Sequence, residues 1–334
     1  RRCEMNEIFD VLSKEEKKKL RKKGQPEWTN PMLATLTKER FSRDDWIYER
    51  KLDGERSLAF RKGDEIRLMS RNKKVLNKQY PEIIEALEDQ DHNFIVDGEI
   101  VAFDGNVTSF SKLQPRMHRT DPDTSIQVFF YVFDIIYLEG YDLSTLPLKS
   151  RKYLLKKALS FRHKNIRYTQ HRRKEGEKYL REACEKGWEG LIAKDYNETY
   201  IHSRSKKWLK FKCDNQQELI ICGYTPPGGS REHFGALIIG FYDDGKLVCA
   251  GKVGTGYDEE TLEMVHEKMK PLERDDPPFD EGNPGYKDAT WLDPELVGEF
   301  RFTEWTSDNR LRHPSFLGLR EDKDAGEVRK EVPK

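Results

Sequence analysis

The segment 49–56 (ERKLDGER) combines a lysine, an Asp-Gly pair and an arginine at short, fixed spacing. Lys51 is a candidate nucleophile, because an amine whose pKa is lowered by neighbouring cations or a bound metal can attack phosphorus. Arg56 is then a candidate for holding a ribose or a phosphate. Read alone, the segment equally fits a surface lysine beside an Asp53-Gly54 turn, so its meaning depends on the rest of the chain.

Two glutamates further along the chain lie in apolar surroundings. Glu99 is part of the predicted strand 95–101 (IVDGEIV), and a buried, unpaired glutamate is costly, so its carboxylate should meet a metal ion or a hydroxyl. Glu189 opens a similar segment, 189–194, that ends at Lys194. For each glutamate alone, an exposed hairpin position is the commoner case.

Period-two alternation in the segment 208–212 (WLKFK) places Lys210 and Lys212 on one face of a strand and Leu209 and Phe211 on the other. Two lysines on one face of a part-buried strand repel each other unless an anion lies between them. Solvated lysines that protect a strand edge are the common alternative. Chance is a poor explanation for all four segments occurring together in this order.

Strands and hairpins surround these segments in the first part of the chain. Residues 58–60 and 66–68 flank the turn Gly63-Asp64, and 94–103 runs into Asp104-Gly105. Such strands mix with helices without regular alternation, which favours an α+β fold over a doubly wound sheet. The helices are predicted at 81–88, 150–159 and 176–186.

The pattern changes after about residue 215. Short strands are predicted at 218–224, 236–242, 246–250, 297–304 and near Leu311, and a helix at 258–270. Five short strands with a helix between the third and the fourth are typical of an OB-fold β-barrel. We therefore expect two domains, 1–215 with an N-terminal helical extension and 216–334.

Charge is divided unevenly between these two parts. Residues 1–216 carry 45 Lys and Arg against 35 Asp and Glu, whereas residues 217–334 carry 15 against 25. A capping box at Ser13–Glu16 also predicts a basic helix that continues through Lys17–Lys23. The basic first part suggests a polyanionic partner, and a solvated charged surface is the equally weighted alternative.

Composition excludes several classes of protein. A chain of 334 residues with 36% hydrophobic content is too large for a peptide or a disulfide-stapled mini-domain. Its longest apolar stretch, 128–138, is about half a membrane span and contains Asp134, and no signal peptide opens the sequence. The cysteines form no CxxC pair, so we expect neither zinc nor a disulfide framework, in an intracellular protein without a membrane partner.

Taken together, the motifs resemble those of the covalent nucleotidyltransferases, specifically the ATP-dependent DNA ligases, over about residues 28–328. This resemblance implies a nucleotidyltransferase (adenylation) domain of antiparallel sheets and helices, followed by the OB-fold domain. The segments that carry it are 49–56, 70–72, 97–99, 131–134, 189–194, 210–212 and 320–323.

Further segments resemble the ligase module of prokaryotic end-joining enzymes of the LigD type; they are 223–225, 234–237, 251–256, 304–306 and 311–314. Polymerase and phosphoesterase domains are absent from the sequence, as is a large N-terminal DNA-binding domain, so we expect a freestanding ligase or a fragment. Lys73-Lys74 follow Asn72 where the subfamily pattern has a glycine and an acidic residue, which puts nearby DNA contacts in doubt.

The resemblance also implies roles for individual residues. Lys51 accepts AMP from ATP, and its expected catalytic partners are Lys210, Lys212, Arg320 and Lys323. Mg²⁺ (or Mn²⁺) is held by Glu99 and Glu189, and Glu99 is alternatively a ribose ligand. Residues expected to bind the nucleotide are Glu49 at the adenine amine, Phe133 on the adenine ring, and Arg56, Arg71, Glu99, Lys194, Lys210 and Lys212.

Nicked duplex DNA is the implied substrate, with Arg116, Arg119, Lys206 and Lys207 as candidate contacts. The subfamily further implies a Ku-like end-binding partner, and a monomer in the cytoplasm with the nucleoid. A GTP-dependent mRNA capping enzyme, an RNA ligase and a non-catalytic nick-binding clamp remain alternatives. An NAD-dependent ligase is disfavoured, because the chain has neither a zinc cysteine cluster nor an added nicotinamide-binding domain.

Overall fold

The structure, a computed structural model, describes residues 8–117, 123–228, 232–282 and 285–331. The chain divides into two compact units, unit 1 ending at Cys213 and unit 2 starting at Asp214. Among the described helices, none is both long enough and apolar enough to cross a bilayer.

Unit 1 contains two sheets. Its strands are β1 (Arg21–Lys22), β2 (Leu33–Leu36), β3 (Trp46–Arg50), β4 (Glu55–Lys62), β5 (Glu65–Ser70), β6 (Phe94–Asp104), β7 (Val107–Thr108), β8 (Val128–Leu138), β9 (Tyr141–Asp142), β10 (Ile166–Tyr168), β11 (His171–Arg173), β12 (Gly190–Asp195) and β13 (Arg204–Lys212). The larger sheet has the order β1-β9-β8-β6-β4-β5, with β10 beside β8 and β7 beside β6. The smaller sheet has the order β11-β3-β12-β13-β2.

The two sheets of unit 1 share a small apolar cluster. Leu58, Ile95 and Phe133 from the larger sheet pack with Trp208 and Ile192 from the smaller one. Every pair of adjacent strands in the order of the larger sheet is antiparallel, and only β10 joins it in parallel. The α+β fold expected from the sequence is confirmed.

The helices of unit 1 whose full bounds fall within the described residues are α1 (Lys14–Lys19), α2 (Pro81–Glu88), α3 (Phe110–Met117), α4 (Leu148–Ala158) and α5 (Gly176–Glu185). The three helices predicted after residue 80 agree with α2, α4 and α5 to within two residues at each end. The prediction missed α3, which contains a proline at position 115.

The N-terminal helix is shorter than predicted. The capping box between Ser13 and Glu16 forms, but α1 ends at Lys19 because Leu20 adopts an extended conformation. Leu20 packs against the core of unit 1, and Arg21 then pairs with Asp142 in the sheet. The predicted continuation of the helix through Lys23 is therefore wrong, because Leu20 leaves the helix and packs against the core.

Unit 2 contains the strands β14 (Asn215–Tyr224), β15 (Leu237–Asp243), β16 (Lys246–Val253), β17 (Glu273–Arg274), β18 (Thr290–Phe302), β19 (Glu304–Trp305), β20 (Leu311–Arg312) and β21 (Ser315–Leu319). Its helix α6 (Glu259–Met269) continues into a 3-10 turn at Lys270–Leu272, and a second 3-10 turn covers Ala325–Glu327. The sheet order is β16-β15-β14-β18-β17, with β21 against β18.

This arrangement agrees with the expected OB-fold domain, with one difference. The strand predicted near Leu311 is β20, which pairs only with β19 in a separate hairpin. The position beside β18 belongs to β21, whose Phe316 is buried opposite Phe300.

One disulfide bond contradicts the sequence-based expectation that the cysteines are unpaired. Cys184, near the end of α5, is bonded to Cys213, which directly follows β13. The Cys213 N–H also donates to the Glu189 carbonyl oxygen at 3.0 Å, which brings the end of β13 beside the α5–β12 connection. A separation of 29 residues has no short-motif signature in the sequence.

Candidate active site

Lys51 lies where two strands of the smaller sheet meet. It directly follows β3, which pairs with β12, and its N–H donates to the Gly190 carbonyl oxygen at 2.9 Å. Its Nζ forms an ion pair with Glu189, and the Lys51 side chain is 19% exposed. A simple surface position for Lys51 is therefore ruled out by this structure.

The loop after Lys51 is fixed rather than a free turn. The Asp53 N–H donates to Thr108 Oγ1 at 3.1 Å, and the Asp53 carboxylate accepts from the Phe110 N–H at 3.1 Å. A Cβ at Gly54 would lie 2.1 Å from the Ile100 carbonyl oxygen, so only glycine fits there. Asp53 thus anchors the loop after Lys51 to β7 and to the start of α3, and Gly54 lets it pass close to β6.

Glu189 forms ion pairs with Lys51 and with Lys212 of β13. Its carboxylate is 6% exposed and lies 3.8 Å from Lys212 Nζ, in addition to its ion pair with Lys51. Burial opposes ionisation of Glu189, but Lys51, Lys212 and Lys210 outweigh it and hold its pKa below the usual range. The alternation predicted for β13 is confirmed, because Leu209 and Phe211 pack in one apolar cluster, while Lys212 on the other face pairs with Glu189.

A second ionic cluster surrounds Glu49 on β3. The Glu49 carboxylate, 2% exposed, is bound by Lys194 Nζ at 2.6 Å and by Lys152 Nζ from α4. Burial again opposes ionisation, but the two ammonium groups keep the pKa of Glu49 low. Burial lowers the pKa of Lys194 to about 8, although Glu49 opposes this shift.

Phe133 lies next to this cluster. Lys194 Nζ is 4.1 Å and the Arg56 guanidinium carbon 4.5 Å from the centroid of its ring. Trp208 of β13 contacts the same ring edge-on at a centroid distance of 6.0 Å. The structure therefore brings Glu49, Lys194, Phe133 and Arg56 into one neighbourhood, as the resemblance implied.

Arg56 is held by a buried network. Its guanidinium donates to both carboxylate oxygens of Asp97, at 2.6 and 2.7 Å, and to the Met32 carbonyl oxygen at 3.1 Å. The Tyr200 hydroxyl donates to Asp97 at 2.6 Å and accepts from the Met32 N–H at 2.8 Å. Burial would lower the pKa of Arg56, but Asp97 outweighs it and raises the value, so the guanidinium stays charged.

Glu99 and Arg71 lie on the larger sheet near Arg56. Glu99 is directly opposite Arg56 in the register of β4 and β6, and opposite Tyr131 in that of β6 and β8. Arg71 follows the last residue of β5, Ser70, which pairs with Ser57 of β4. Both residues thus lie at the strand set that carries Arg56.

A divalent ion at this site would need oxygen ligands, which carboxylate side chains can supply. Across the described ranges, no cluster of three or more His, Cys, Asp or Glu side chains could hold a metal ion by itself. Mg²⁺ binds readily through one or two carboxylates plus phosphate oxygens and water. Two carboxylates, which the resemblance assigns to Glu99 and Glu189, are enough for Mg²⁺ when phosphate oxygens and water complete its coordination.

The two predicted catalytic residues of unit 2 are engaged within that unit. Arg320, 9% exposed, donates to both oxygens of Asp322 at 2.9 Å and to Glu299 at 2.6 Å. Lys323 Nζ lies 3.2 Å from Glu218. Asp322 and Glu299 outweigh burial and raise the pKa of Arg320 well above its usual value.

Among the candidate DNA contacts, the prediction for Arg116 is wrong. Its side chain is fully buried, donates to the Glu82 carboxylate at 2.8 and 2.9 Å, and satisfies loop carbonyl groups. Lys206 is exposed, and Lys207 is partly exposed while pairing with Asp195 and Glu198 at 3.1 Å. Arg119 lies outside the described residues.

Sequence reasoning missed Lys152 and Tyr200. A signal for Lys152 existed, because Arg151 and Lys152 occupy the buried face of α4 between Leu148 and Leu155, at the spacing of a core stripe. Charged residues at such positions need buried partners, and theirs are Asp134 and Glu49. For Tyr200 the sequence contains no comparable signal.

Two family models and several known proteins match this chain. The family model "ATP dependent DNA ligase domain" matches residues 31–212, and the model "ATP dependent DNA ligase C terminal region" matches residues 230–323. The multifunctional non-homologous end joining protein LigD of Pseudomonas aeruginosa is 34% identical over 315 residues, 92% of this chain and 37% of its own length. The LigD DNA repair protein of Mycobacterium tuberculosis is 36% identical over 310 residues, 90% of this chain and 40% of its own length.

A solved structure agrees over its whole length. The structure described as mycobacterial DNA ligase D complexed with ATP and MES has a TM-score of 0.66 and 33% identity, covering 92% of this chain and 98% of that chain. This chain spans less than half the length of the LigD relatives named above. The resemblance stated from the motifs is confirmed: the chain belongs to the ATP-dependent DNA ligase family.

Proposed function

We propose that this chain seals nicks with a 5′-phosphate and a 3′-hydroxyl in duplex DNA, using ATP and a lysyl-AMP intermediate on Lys51. The observation that carries the proposal is the cluster of Lys51, Glu189, Lys210 and Lys212 inside a ligase-family unit. A nucleophilic lysine surrounded by further cations suits attack on an anionic phosphate.

In the first step, the Lys51 ammonium gives up a proton to solvent, and its Nζ attacks the α-phosphorus of ATP as the neutral amine; a second proton leaves the nitrogen for solvent as the phosphoramidate forms. A nitrogen–phosphorus bond forms, and the bond from the α-phosphorus to the pyrophosphate oxygen breaks. Lys210 and Lys212 bind the α-phosphate and stabilise the charge that spreads over its oxygens in the transition state. Binding of this phosphate requires Glu189 to share Lys51 and Lys212 with the new anion.

Nucleotide recognition falls to the neighbouring cluster. Glu49 accepts from the exocyclic amine of adenine, and Phe133 supplies an aromatic face for the base. Arg56, already oriented by Asp97, binds the ribose, with Arg71 and Glu99 near it on the same sheet. Lys194 contacts both Glu49 and Phe133 and so links base recognition to the strand that follows Glu189.

A divalent ion, Mg²⁺ or Mn²⁺, belongs to this proposal. Glu99 and Glu189 would hold it together with phosphate oxygens, and the ion would neutralise phosphate charge when bound. Glu189 therefore has two tasks, as a metal ligand and as the counter-ion of Lys51 and Lys212.

Arg320 and Lys323 of unit 2 are proposed to orient the leaving pyrophosphate and to withdraw afterwards, through a hinge near 214–216. Arg320 must exchange Asp322 or Glu299 for phosphate to do so, whereas Lys323 gives up only Glu218. In the later steps AMP passes to the 5′-phosphate of the nick, and the 3′-hydroxyl displaces it.

The biological setting is proposed from the LigD relatives, which their names describe as non-homologous end joining proteins. We infer that this chain acts in DNA end joining and repair, as a monomer in the cytoplasm with the nucleoid and with a Ku-like end-binding partner. Contact with DNA should involve mainly phosphates and weaken with salt.

Sealing of a defined nick tests the proposal. A labelled duplex with one 5′-phosphorylated nick is incubated with the protein, Mg²⁺ and ATP, GTP or NAD, and with RNA replacing either strand end. Sealing of the all-DNA nick with ATP is expected. Sealing only with RNA ends, use of GTP in place of ATP, or binding without sealing would instead support an RNA ligase, a capping enzyme or a nick-binding clamp.

A further inference from the structure

Lys152 is a buried cation that has no role in the proposed ligase reaction. It lies on α4 and is 2% exposed, and its Nζ forms an ion pair with the Glu49 carboxylate. Its other polar contact is the Thr169 carbonyl oxygen at 3.5 Å, and its Nζ lies 5.0 Å from the centre of the Tyr168 ring. The ammonium group of Lys152 thus connects α4 to β3.

Glu49 needs this second cation. Its other partner, Lys194, also lies 3.9 Å from the Trp208 ring and 4.1 Å from that of Phe133, so its ammonium is shared with the aromatic pair. His171 is directly opposite Glu49 in the register of β11 and β3. Burial and the charge of Lys152 lower the pKa of His171 to about 4, so its ring is neutral near neutral pH and supplies no third cation.

The surroundings of Glu49 have unused hydrogen-bonding capacity. Within the part of the chain that the structure describes, His171 Nδ1 and Thr169 Oγ1 are buried and have no hydrogen-bond partner. Buried polar atoms without partners are rare in folded proteins. A polar heteroaromatic edge placed beside Glu49 would supply such partners.

The protonation state of Glu49 determines whether the base edge beside it must donate a hydrogen bond or can accept one. An ionised carboxylate only accepts hydrogen bonds, whereas a protonated carboxyl also donates one. Adenine presents an amino group at the position where guanine presents a carbonyl oxygen. A buried carboxyl without a cation tends to be neutral, and a neutral Glu49 would be able to donate to guanine.

We propose that Lys152 is a positioning residue that determines nucleotide specificity, because its ion pair keeps Glu49 an ionised acceptor fixed toward the adenine amine. The inference rests on the proposed function, since it deepens the recognition of ATP at that site. Lys152 itself does not contact the reacting atoms, and its effect passes entirely through Glu49.

Binding measurements test this without requiring the reaction. Calorimetric titration of ATP and of GTP into Lys51→Ala protein gives the ratio of their dissociation constants, even if no adduct ever forms. Adding Lys152→Met should reduce the preference for ATP about tenfold or more, because a lost charge-assisted contact to the base edge is worth at least that. Lys152→Arg should restore most of the preference.

Two further variants separate specificity from stability. Lys156→Met removes a cation one helical turn away on α4 that lies 4.4 Å from the same Tyr168 ring, and it should leave the ratio unchanged. Glu49→Gln/Lys152→Met removes both charges of this pair and leaves Lys194, whose pKa is already lowered to about 8, to release its proton. This double variant should therefore fold where Lys152→Met alone does not. Its ATP-to-GTP ratio should equal that of Glu49→Gln, because the two residues act as one unit.

Two results would overturn the inference. One is a folded Lys152→Met protein with the parent's ATP-to-GTP ratio, and the other is a double variant that discriminates less than Glu49→Gln. Failure of the proposed function looks different: the Lys51-containing parent would then form no AMP adduct, while the binding ratios still decide the role of Lys152.

Discussion

Lys51 and Glu189 form a buried ion pair, and Lys212 Nζ lies 3.8 Å from the other carboxylate oxygen of Glu189. One carboxylate thus compensates the charge of Lys51 and that of Lys212 on β13. An anionic phosphate that entered this cluster would take over part of that compensation. The ion pair is therefore the resting arrangement of the site that ATP would rearrange.

Replacing Glu189 with glutamine should slow formation of the lysyl-AMP adduct about 10²-fold, because Lys51 and Lys212 would lose an ion-pair partner and the proposed metal ion would lose a ligand. Single-turnover time courses with labelled ATP measure this rate. Glu198→Gln, whose carboxylate pairs with the part-exposed Lys207, is the control and should match the parent. A Glu189→Gln protein that reacts at the parent's rate would remove Glu189 from the mechanism.

Lys194 should make stability depend on pH above neutrality. Burial lowers the pKa of Lys194 from 10.5 to about 8, so between these values the folded protein has released a proton that the unfolded chain still binds. Stability from this group therefore rises with pH in that range, by about 1 kcal/mol from pH 7 to pH 9. Denaturant unfolding of the parent and of Lys194→Met at both pH values measures the difference, which should widen by this amount in favour of the parent.

Tyr200→Phe should destabilise unit 1 by about 1–3 kcal/mol, because Asp97 and the Met32 N–H each lose a buried partner. It should also weaken ATP binding, since Arg56 is oriented by the same Asp97. Tyr80→Phe is a matched control, because it removes a buried bond to Glu55 of 2.7 Å. Equal effects of both variants on the dissociation constant of ATP would show that the Tyr200 network is structural only.

Reduction of the Cys184–Cys213 disulfide should lower the free energy of unfolding by about 3.5 kcal/mol, the value expected from the entropy of closing a loop with a separation of 29 residues. Denaturant titrations with and without a reducing agent measure it, after blocking of free thiols. The Cys184→Ser/Cys213→Ser variant should be insensitive to the reducing agent. A parent whose midpoint is unchanged on reduction would contradict the bond.

The sequence predicted one relationship within the site, because strand alternation alone determines that Lys210 and Lys212 share a face. It could not predict that Glu189 lies beside Lys51 and Lys212, since this depends on the pairing of β12 with both β3 and β13. The same limit applies to Arg116, which looked like a surface cation until α3 placed it against Glu82.

Local signals were also overruled by packing. The basic run after Ser13 predicts a longer helix, but burial of Leu20 ends α1 at Lys19. Lys73 has a φ of +65°, a conformation that favours glycine, at the position where the subfamily pattern has glycine. A departure from the subfamily pattern, such as lysine in place of glycine at position 73, can be recognised in the sequence only after the motif has been identified.

The central claim is that Lys51 becomes covalently bound to AMP. Intact mass should be measured after incubation of the parent protein and of Lys51→Ala with ATP and Mg²⁺, followed by nicked DNA. We expect a gain of one AMP in the parent only, and loss of that AMP when nicked DNA is added. No adduct on the parent, an equal adduct on Lys51→Ala, or labelling by GTP in place of ATP would contradict it.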